Sequence, residues 1–476
     1  MAYETRPYIN GEFVDCTQSF PVLNPFNGET VAEARLADES HLQSALNAAQ
    51  NVSGALREMA PFARAELLLR LSGLIAERKE ELARLITLEA GKPITLSRGE
   101  VDRAVGTFRI AAEEARRYAG ELHLQEAYGR SGGKYAIIGR FPLSPVLAIT
   151  PFNFPLNLVA HKVAPALAVG AAVIHKPARY TPLTALMLAQ IYRDAGVPPG
   201  AYNVLPAAPA ALESLIASER VRKISFTGSA EVGWGLKADC GKKRITLELG
   251  GNAAAVVEDA ADLPRLAAHL ARGAFAYAGQ VCISVQRIFV RKKLYADFTA
   301  ALVKFTEEEI HSGDPFDKDV LNGPLISPND VKRVAEWVAE ARQAGARVLC
   351  GGTAEGNVFA PTVIENAPRQ ARVYAEEAFA PLVVVAPYGD FAEAVELVND
   401  SRFGLQAGYF TRDLDKANYA FEHTGCGAVL INESPIARLD HLPYGGVKDS
   451  GFGREGLRWA MDELTEPRLF VVKPGW

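Results

Sequence analysis

The sequence has few cysteines, and no two of them stand at a metal-type or redox-type spacing. Cys16, Cys240, Cys282, Cys350 and Cys426 are scattered over 476 residues without a C-x-x-C pair. An odd, dispersed set argues against a disulfide framework and gives no sign of a metal site. It fits a reducing compartment in which one thiol can be catalytic. Long runs of like charge are also missing, and the formal net charge is only −5. Without a basic excess or a Lys/Arg run, no nucleic-acid partner is expected. The opening MAYETRPYINGEF lacks the apolar core of a secretory leader. One run, from Val146 to Ile174, would attract a hydropathy scan. It carries Pro151, Asn153, Pro155, Asn157, His161, Lys162 and Pro165. A central lysine alone costs roughly 2.5–3.5 kcal/mol in a bilayer, so the run reads as strand, loop and buried helix. The expected location is cytoplasmic, with no membrane partner. A Gly-rich dinucleotide fingerprint after a strand is absent too. Gly451-Phe452-Gly453-Arg454-Glu455-Gly456 spells G-x-G-x-x-G, but it follows the polar loop PYGGVKDS rather than an apolar strand.

What is present is patterning for a large α/β protein. The length exceeds one hydrophobic core and suggests two or three domains. Residues 38–120 read mainly as helix. Leu67, Leu68, Leu71, Leu74 and Ile75 recur at helical spacing, as do Leu82, Leu85, Ile86 and Leu88, until Gly91-Lys92-Pro93 stops the pattern. From residue 135 short apolar runs alternate with amphipathic stretches. The runs are 145–150, 170–175, 202–205, 223–227 and 253–257, and the stretches include 182–195 and 207–218. That alternation predicts a doubly wound parallel sheet. A second alternating region spans 285–431, with strands near 286–290, 346–349, 382–386 and 427–431. The last strand-like piece, Leu469–Val472, needs a partner edge, which another subunit could supply.

Three residues carry candidate chemistry. Cys282, in Gly279-Gln280-Val281-Cys282, can attack a carbonyl carbon as thiolate, although a solitary cysteine is commonly just a small buried residue. Glu248 is flanked by Leu247 and Leu249. Desolvation there raises a carboxyl pKa and suits a general base, with an ion-paired glutamate at a strand end as the alternative. Asn153 sits between Phe152 and Phe154. It is either an oxyanion donor or a turn-former beside Pro155.

Together these segments resemble the aldehyde dehydrogenase family. The resemblance rests on 150–155 (TPFNFP), 226–229 (FTGS), 247–251 (LELGG), 279–282 (GQVC), 376–381 (EEAFAP) and 443–456 (PYGGVKDSGFGREG), in the family's order and spacing. It covers nearly the whole chain. It implies attack by Cys282, an oxyanion held by Asn153 and the Cys282 N–H, hydride transfer to NAD or NADP, and thioester hydrolysis by water that Glu248 activates. It also implies a cofactor-binding set: Ile149, Thr150, Pro151 and Phe152, Lys176 at the adenosine ribose, Gly228 and Ser229 at the pyrophosphate, Leu249, and Glu377 with Phe379 at the nicotinamide end. The expected architecture is α/β: a doubly wound parallel-sheet cofactor domain (1–119 and 143–250), a second α/β catalytic domain (251–450), and a small β oligomerisation element (120–142 and 465–476). A homo-oligomer, dimer or tetramer, follows from the resemblance.

Two departures bear on specificity. Where relatives often carry an acidic residue three positions after the lysine, this chain has Arg179. An arginine fork can bind a 2′-phosphate, which tilts the expectation toward NADP, unless Arg179 points into solvent. Residues 207–210 (AAPA) lack the glycines many members have there. The aldehyde tunnel is expected to present Arg103, Asn157, His161, Val281, Ile283 and the loop 433–442, including Arg438 and His441. That lining reads as polar and cationic and favours a short aldehyde bearing a hydroxyl, carboxylate or phosphate. The alternative for Arg103 is an ion pair with Glu100. The 433–456 region resembles the lactaldehyde, non-phosphorylating glyceraldehyde-3-phosphate and phosphonoacetaldehyde dehydrogenase group. Val281, where phosphate-selective members tend to have arginine, stands against phosphate selectivity. Competing functions are a CoA-acylating dehydrogenase, against which Glu248 argues, and a catalytically silent member, against which the full Cys282, Glu248 and Asn153 set argues.

Overall fold

A computed structural model describes residues 3–124 and 134–473. The long helical stretch divides into α1 (Glu39–Glu58), α2 (Pro61–Glu77), α3 (Lys79–Ala90) and α4 (Ile94–Arg117). α1 starts with a reciprocal cap. The Asp38 carboxylate accepts the His41 backbone N–H at 3.2 Å while the His41 ring accepts the Asp38 N–H at 3.4 Å. α3 ends on Gly91 at φ 64°, where a Cβ would come within 2.6 Å of Pro324. A left-handed residue pressed against another loop has to be glycine. Pro93 then launches α4.

The first sheet has eight strands in the spatial order Glu12–Phe13, Tyr8–Ile9, Tyr202–Val204, Val173–Lys176, Val146–Ile149, Lys223–Thr227, Arg244–Glu248 and Gly451–Phe452. The five central strands are parallel, and antiparallel pieces close both ends. The run that mimicked a membrane span is strand Val146–Ile149, a loop, and α5 (Asn157–Val169), whose every residue is buried. A helix buried on all sides is apolar all round without touching lipid. No described helix is long and apolar enough to cross a membrane. The second sheet runs Arg347–Cys350, Thr362–Glu365, Leu382–Tyr388, Val285–Arg291, Ala253–Val257, Gln406–Phe410 and Ala428–Ile431, parallel except for its first strand. Its two faces fill separate cores. Ala254, Val256 and Phe289 enter one, while Ala255, Val257, Ile288 and Val290 enter the other. Both faces are covered, and the central strand Ala253–Val257 reads as an unbroken apolar run.

Two differences from the sequence reading stand out. The C-terminal strand is longer than expected, Thr465–Val472, and its partner lies in its own chain. It pairs in full antiparallel register with Tyr135–Pro142, from Thr465↔Pro142 to Val472↔Tyr135. Its outer edge, with Leu469, Phe470 and Val471 more than half exposed, is the part without a neighbour among the described strands. Residues 125–133 and 474–476 of the expected oligomerisation element lie outside the described residues. The hairpin Gln18–Leu23 with Thr30–Leu36 and the strand Gln406–Phe410 were not foreseen.

Candidate active site

The three candidate groups come from three different turns. Glu248 is the last residue of strand Arg244–Glu248, and Asn153 lies in the loop after Val146–Ile149. Cys282 follows an unusual turn in which Tyr277 (φ 54°), Ala278 (φ 52°) and Gly279 (φ 65°) are all left-handed. Left-handed backbone costs a non-glycine residue about 1–3 kcal/mol. The turn is held by packing on both sides. The Tyr277 hydroxyl donates to the Ala90 carbonyl at 3.1 Å, and a Cβ on Gly279 would come within 2.2 Å of the Ala380 carbonyl oxygen.

The turn opens Cys282 onto a cavity of about 290 Å³. Leu96, Phe154, Leu158, Tyr277, Val281 and Ile283 form much of its wall. The Cys282 sulfur is 3.1 Å from the Tyr444 hydroxyl. Burial pushes the thiol up to about 11, with the Tyr444 hydrogen bond pulling the other way and the carboxylates of Glu377 and Glu248 adding to the rise. The Asn153 side-chain N–H donates to the Gln280 carbonyl at 2.9 Å, two residues from the sulfur. Glu248 is 3% exposed, and neither carboxylate oxygen has a hydrogen-bond partner. An unpartnered buried carboxylate is costly and calls for a reason. Burial, then the charge of Glu455, holds Glu248 well above the usual carboxylate range. Glu455 shows the opposite behaviour. Burial works to raise it, but Lys162, 2.8 Å away, and Arg438 outweigh burial and hold it low. The two neighbouring carboxyls are thus pushed apart, Glu248 upward and Glu455 downward.

The cationic tunnel needs correction. Arg103, Arg438 and Lys92 line the cavity, but each is paired with a carboxylate. Arg103 grips Asp440 through two bonds of 2.8 and 3.0 Å. Arg438 reaches Glu455 at 3.3 Å, and Lys92 bonds to Glu100. Glu100 is therefore not the partner of Arg103. Its other oxygen accepts the N–H groups of Leu156 and Asn157, capping α5 where no local side chain does so. Asn157 lines the cavity and accepts from the Thr107 hydroxyl at 3.2 Å. His161 and His441 do not line it. His161 is buried behind the wall, 2.8 Å from Asp440, and His441 is exposed. Lys92 and Tyr444 line the cavity without being singled out by the sequence, Lys92 in the helix stop and Tyr444 inside the motif 443–456, while Asp440, in the loop expected at the tunnel, lies behind the wall.

The expected cofactor residues surround the open end of the first sheet. Ile149 ends its strand, and the Thr150 hydroxyl bonds to His175 at 2.8 Å. Pro151 leads to Phe152, whose ring lies 5.9 Å from that of Phe379. Phe379 is itself left-handed, at φ 48°. Lys176 ends strand Val173–Lys176, and burial alone pushes its ammonium down. Gly228 and Ser229 precede the helix Ala230–Asp239, whose first-turn N–H groups receive no side-chain cap. A Cβ on Gly228 would sit 2.5 Å from the Phe226 ring. Leu249 is buried under Gly233. Glu377 accepts the Gly251 N–H at 2.9 Å and is pushed up to about 7 by burial. Arg179 is exposed, its guanidinium 4.6 Å from the Phe20 ring centroid.

This arrangement matches known proteins along its whole length. The model of the aldehyde dehydrogenase family matches residues 13–470. A 3-sulfolactaldehyde dehydrogenase of Priestia aryabhattai is 40% identical over 98% of this chain and 97% of its own. An NADP(+) succinate-semialdehyde dehydrogenase of Escherichia coli is 36% identical over 99% and 98%. The crystal structure of aldehyde dehydrogenase 21 from Physcomitrella patens with its reaction product succinate superposes with a TM-score of 0.97, at 39% identity and 99% coverage of both chains. The chain belongs to the aldehyde dehydrogenase family, as an NAD(P)-dependent, non-acylating aldehyde dehydrogenase.

Proposed function

We propose that this enzyme oxidises a short aldehyde carrying a polar or acidic group to the carboxylic acid, with Cys282 as nucleophile and Glu248 as general base. The observation that carries the reading is a cavity-lining thiol whose electrostatic surroundings include a buried carboxylate with no hydrogen-bond partner of its own. The Cys282 thiol rests protonated, so attack on the aldehyde carbon requires its proton to leave. That proton passes to water, and Glu248 takes the proton of the water that hydrolyses the thioester. The Asn153 amide, by turning from the Gln280 carbonyl, and the Cys282 N–H stabilise the oxyanion. When bound, the nicotinamide supplies the hydride acceptor that converts the thiohemiacetal into that thioester.

The residues present fit such a cofactor. Lys176 is a desolvated ammonium suited to ribose hydroxyls. The uncapped helix start after Ser229 suits a pyrophosphate. The buried carboxyl of Glu377 and the ring of Phe379 suit the nicotinamide riboside. Arg179, exposed near the same sheet edge, supports use of NADP at least as readily as NAD. The substrate reading rests on the cavity size and on Arg103, which stays 33% exposed in the lining although Asp440 pairs with it. The substrates named for the two relatives, sulfolactaldehyde and succinate semialdehyde, point the same way. The test is a panel of short neutral and anionic aldehydes assayed with each cofactor at about 340 nm. Acid formation without coenzyme A is expected. Absence of turnover on every aldehyde, or a requirement for coenzyme A, would refute the reading.

A further inference from the structure

We infer that Asp440 sets the charge preference of the substrate cavity by holding a compensating negative charge behind its wall. The inference rests on the reading that aldehydes bind beside Cys282. Two of the three cations lining the cavity converge on this one carboxylate. Arg103 Nη2 and His161 Nε2 each lie 2.8 Å from Asp440 Oδ1, Arg103 Nε lies 3.0 Å from Oδ2, and Arg438 Nε lies 3.5 Å from Oδ1. Asp440 itself is not part of the lining. Burial works to raise its pKa, but the His161 and Arg103 contacts outweigh burial and keep it ionised. His161 is pushed toward its neutral form, first by burial and then by Arg438, so it adds a hydrogen bond rather than a positive charge. The third cation, Lys92, has Glu100 as its own partner. The charge that the wall shows to a substrate therefore depends on Asp440 more than on the arginines alone.

The surrounding contacts argue against a mere anchoring role. The backbone of this loop is fixed elsewhere, by Gln406 Nε2 donating to the carbonyls of Pro435 at 2.6 Å and Ala437 at 3.1 Å. Arg438 also keeps contacts independent of Asp440. Its guanidinium lies 3.8 Å from the Tyr444 ring centroid and reaches Glu455. Loss of the Asp440 charge would leave Arg103, whose guanidinium also lies 5.7 Å from the Phe154 ring centroid, without a carboxylate partner, while Arg438 keeps Glu455. An anionic aldehyde would gain from this, and a neutral one of similar length would not.

The experiment compares kcat/KM for succinic semialdehyde, an anionic probe, with kcat/KM for pentanal, a neutral one. It uses the full-length enzyme and the variants Asp440→Asn, Asp440→Ala and Asp440→Glu. A unit charge about 6 Å from the substrate, at an effective dielectric near 20, sets a ceiling on the order of a hundredfold. Screening reduces the expected rise in the anionic-to-neutral ratio to about tenfold for Asn and Ala, smaller in high salt. Asp440→Glu, which keeps the charge, is expected to restore most of the wild-type ratio. A ratio unchanged within about twofold in both Asn and Ala, or an equal fall on both substrates, would overturn the inference. Wild-type turnover on both probes alongside that result would leave the reading of the site intact. Absence of wild-type turnover on both probes and on every aldehyde of the wider panel would instead sink that reading.

Discussion

Two sets of polar groups in and around the cavity behave in opposite ways. In one set the charges are matched: Lys92 with Glu100, Arg103 with Asp440, and Arg438 and Lys162 with Glu455. In the other the polar groups are left short. Both Glu248 oxygens and Asn153 Oδ1 are buried without partners, and the thiol is raised by burial. Buried charges are stable only when paired, so the wall is built for rigidity. Unpaired buried groups are destabilising, and a carboxylate with neither oxygen partnered is the costliest case among them.

The largest expected effect breaks the reactive set. Cys282→Ala should lower turnover by about 10⁴-fold or more, since no other group can form the thioester. Circular dichroism should show a folded protein. Retention of most wild-type turnover would remove Cys282 from the mechanism. Glu248→Gln should cost about 10²–10⁴-fold in steady state, the range for a general base. Raised by burial, Glu248 is protonated and unable to accept a proton below its shifted pKa, so the deacylation rate should climb with pH. That limb should vanish in the variant. Stopped flow should show a burst of NAD(P)H. A lost burst would assign Glu248 to an earlier step.

The opposite break targets the wall. Glu100→Leu strands the Lys92 ammonium and uncaps α5, and should destabilise the fold by about 3–5 kcal/mol. Chemical denaturation measures this directly, and a loss under about 1 kcal/mol would show that the pair is not structural. The smallest effect belongs to Arg179, outside both sets. Its exposure limits any ion pair to about 0–1 kcal/mol. Arg179→Glu should therefore shift the NADP-to-NAD ratio of kcat/KM by no more than about tenfold. A strong wild-type preference for NAD with no shift on mutation would make Arg179 a solvated surface residue.

Much of the fold was legible from local signals. The Gly91-Lys92-Pro93 stop falls where α3 ends, and the apolar runs fall on the parallel strands. Of the candidate trio, Cys282 and Asn153 line one cavity, and Glu248 ends the strand Arg244–Glu248. The wall was misread because a list of residue types carries signs of charge but not their partners. Glu100 stands three residues before Arg103 and looks like its mate, yet it caps a helix start 56 residues away. Asp440, 337 residues from Arg103, takes that place instead.

The sequence alone determined what can be read from one chain segment at a time: the helix stops, the buried parallel strands and the chemistry available at each turn. Tertiary structure decided which charges cancel, which histidines face the cavity and where the C-terminal strand pairs. Pairing energies depend on distances of a few ångströms between segments, and such distances are fixed only when the helices and both sheets pack together.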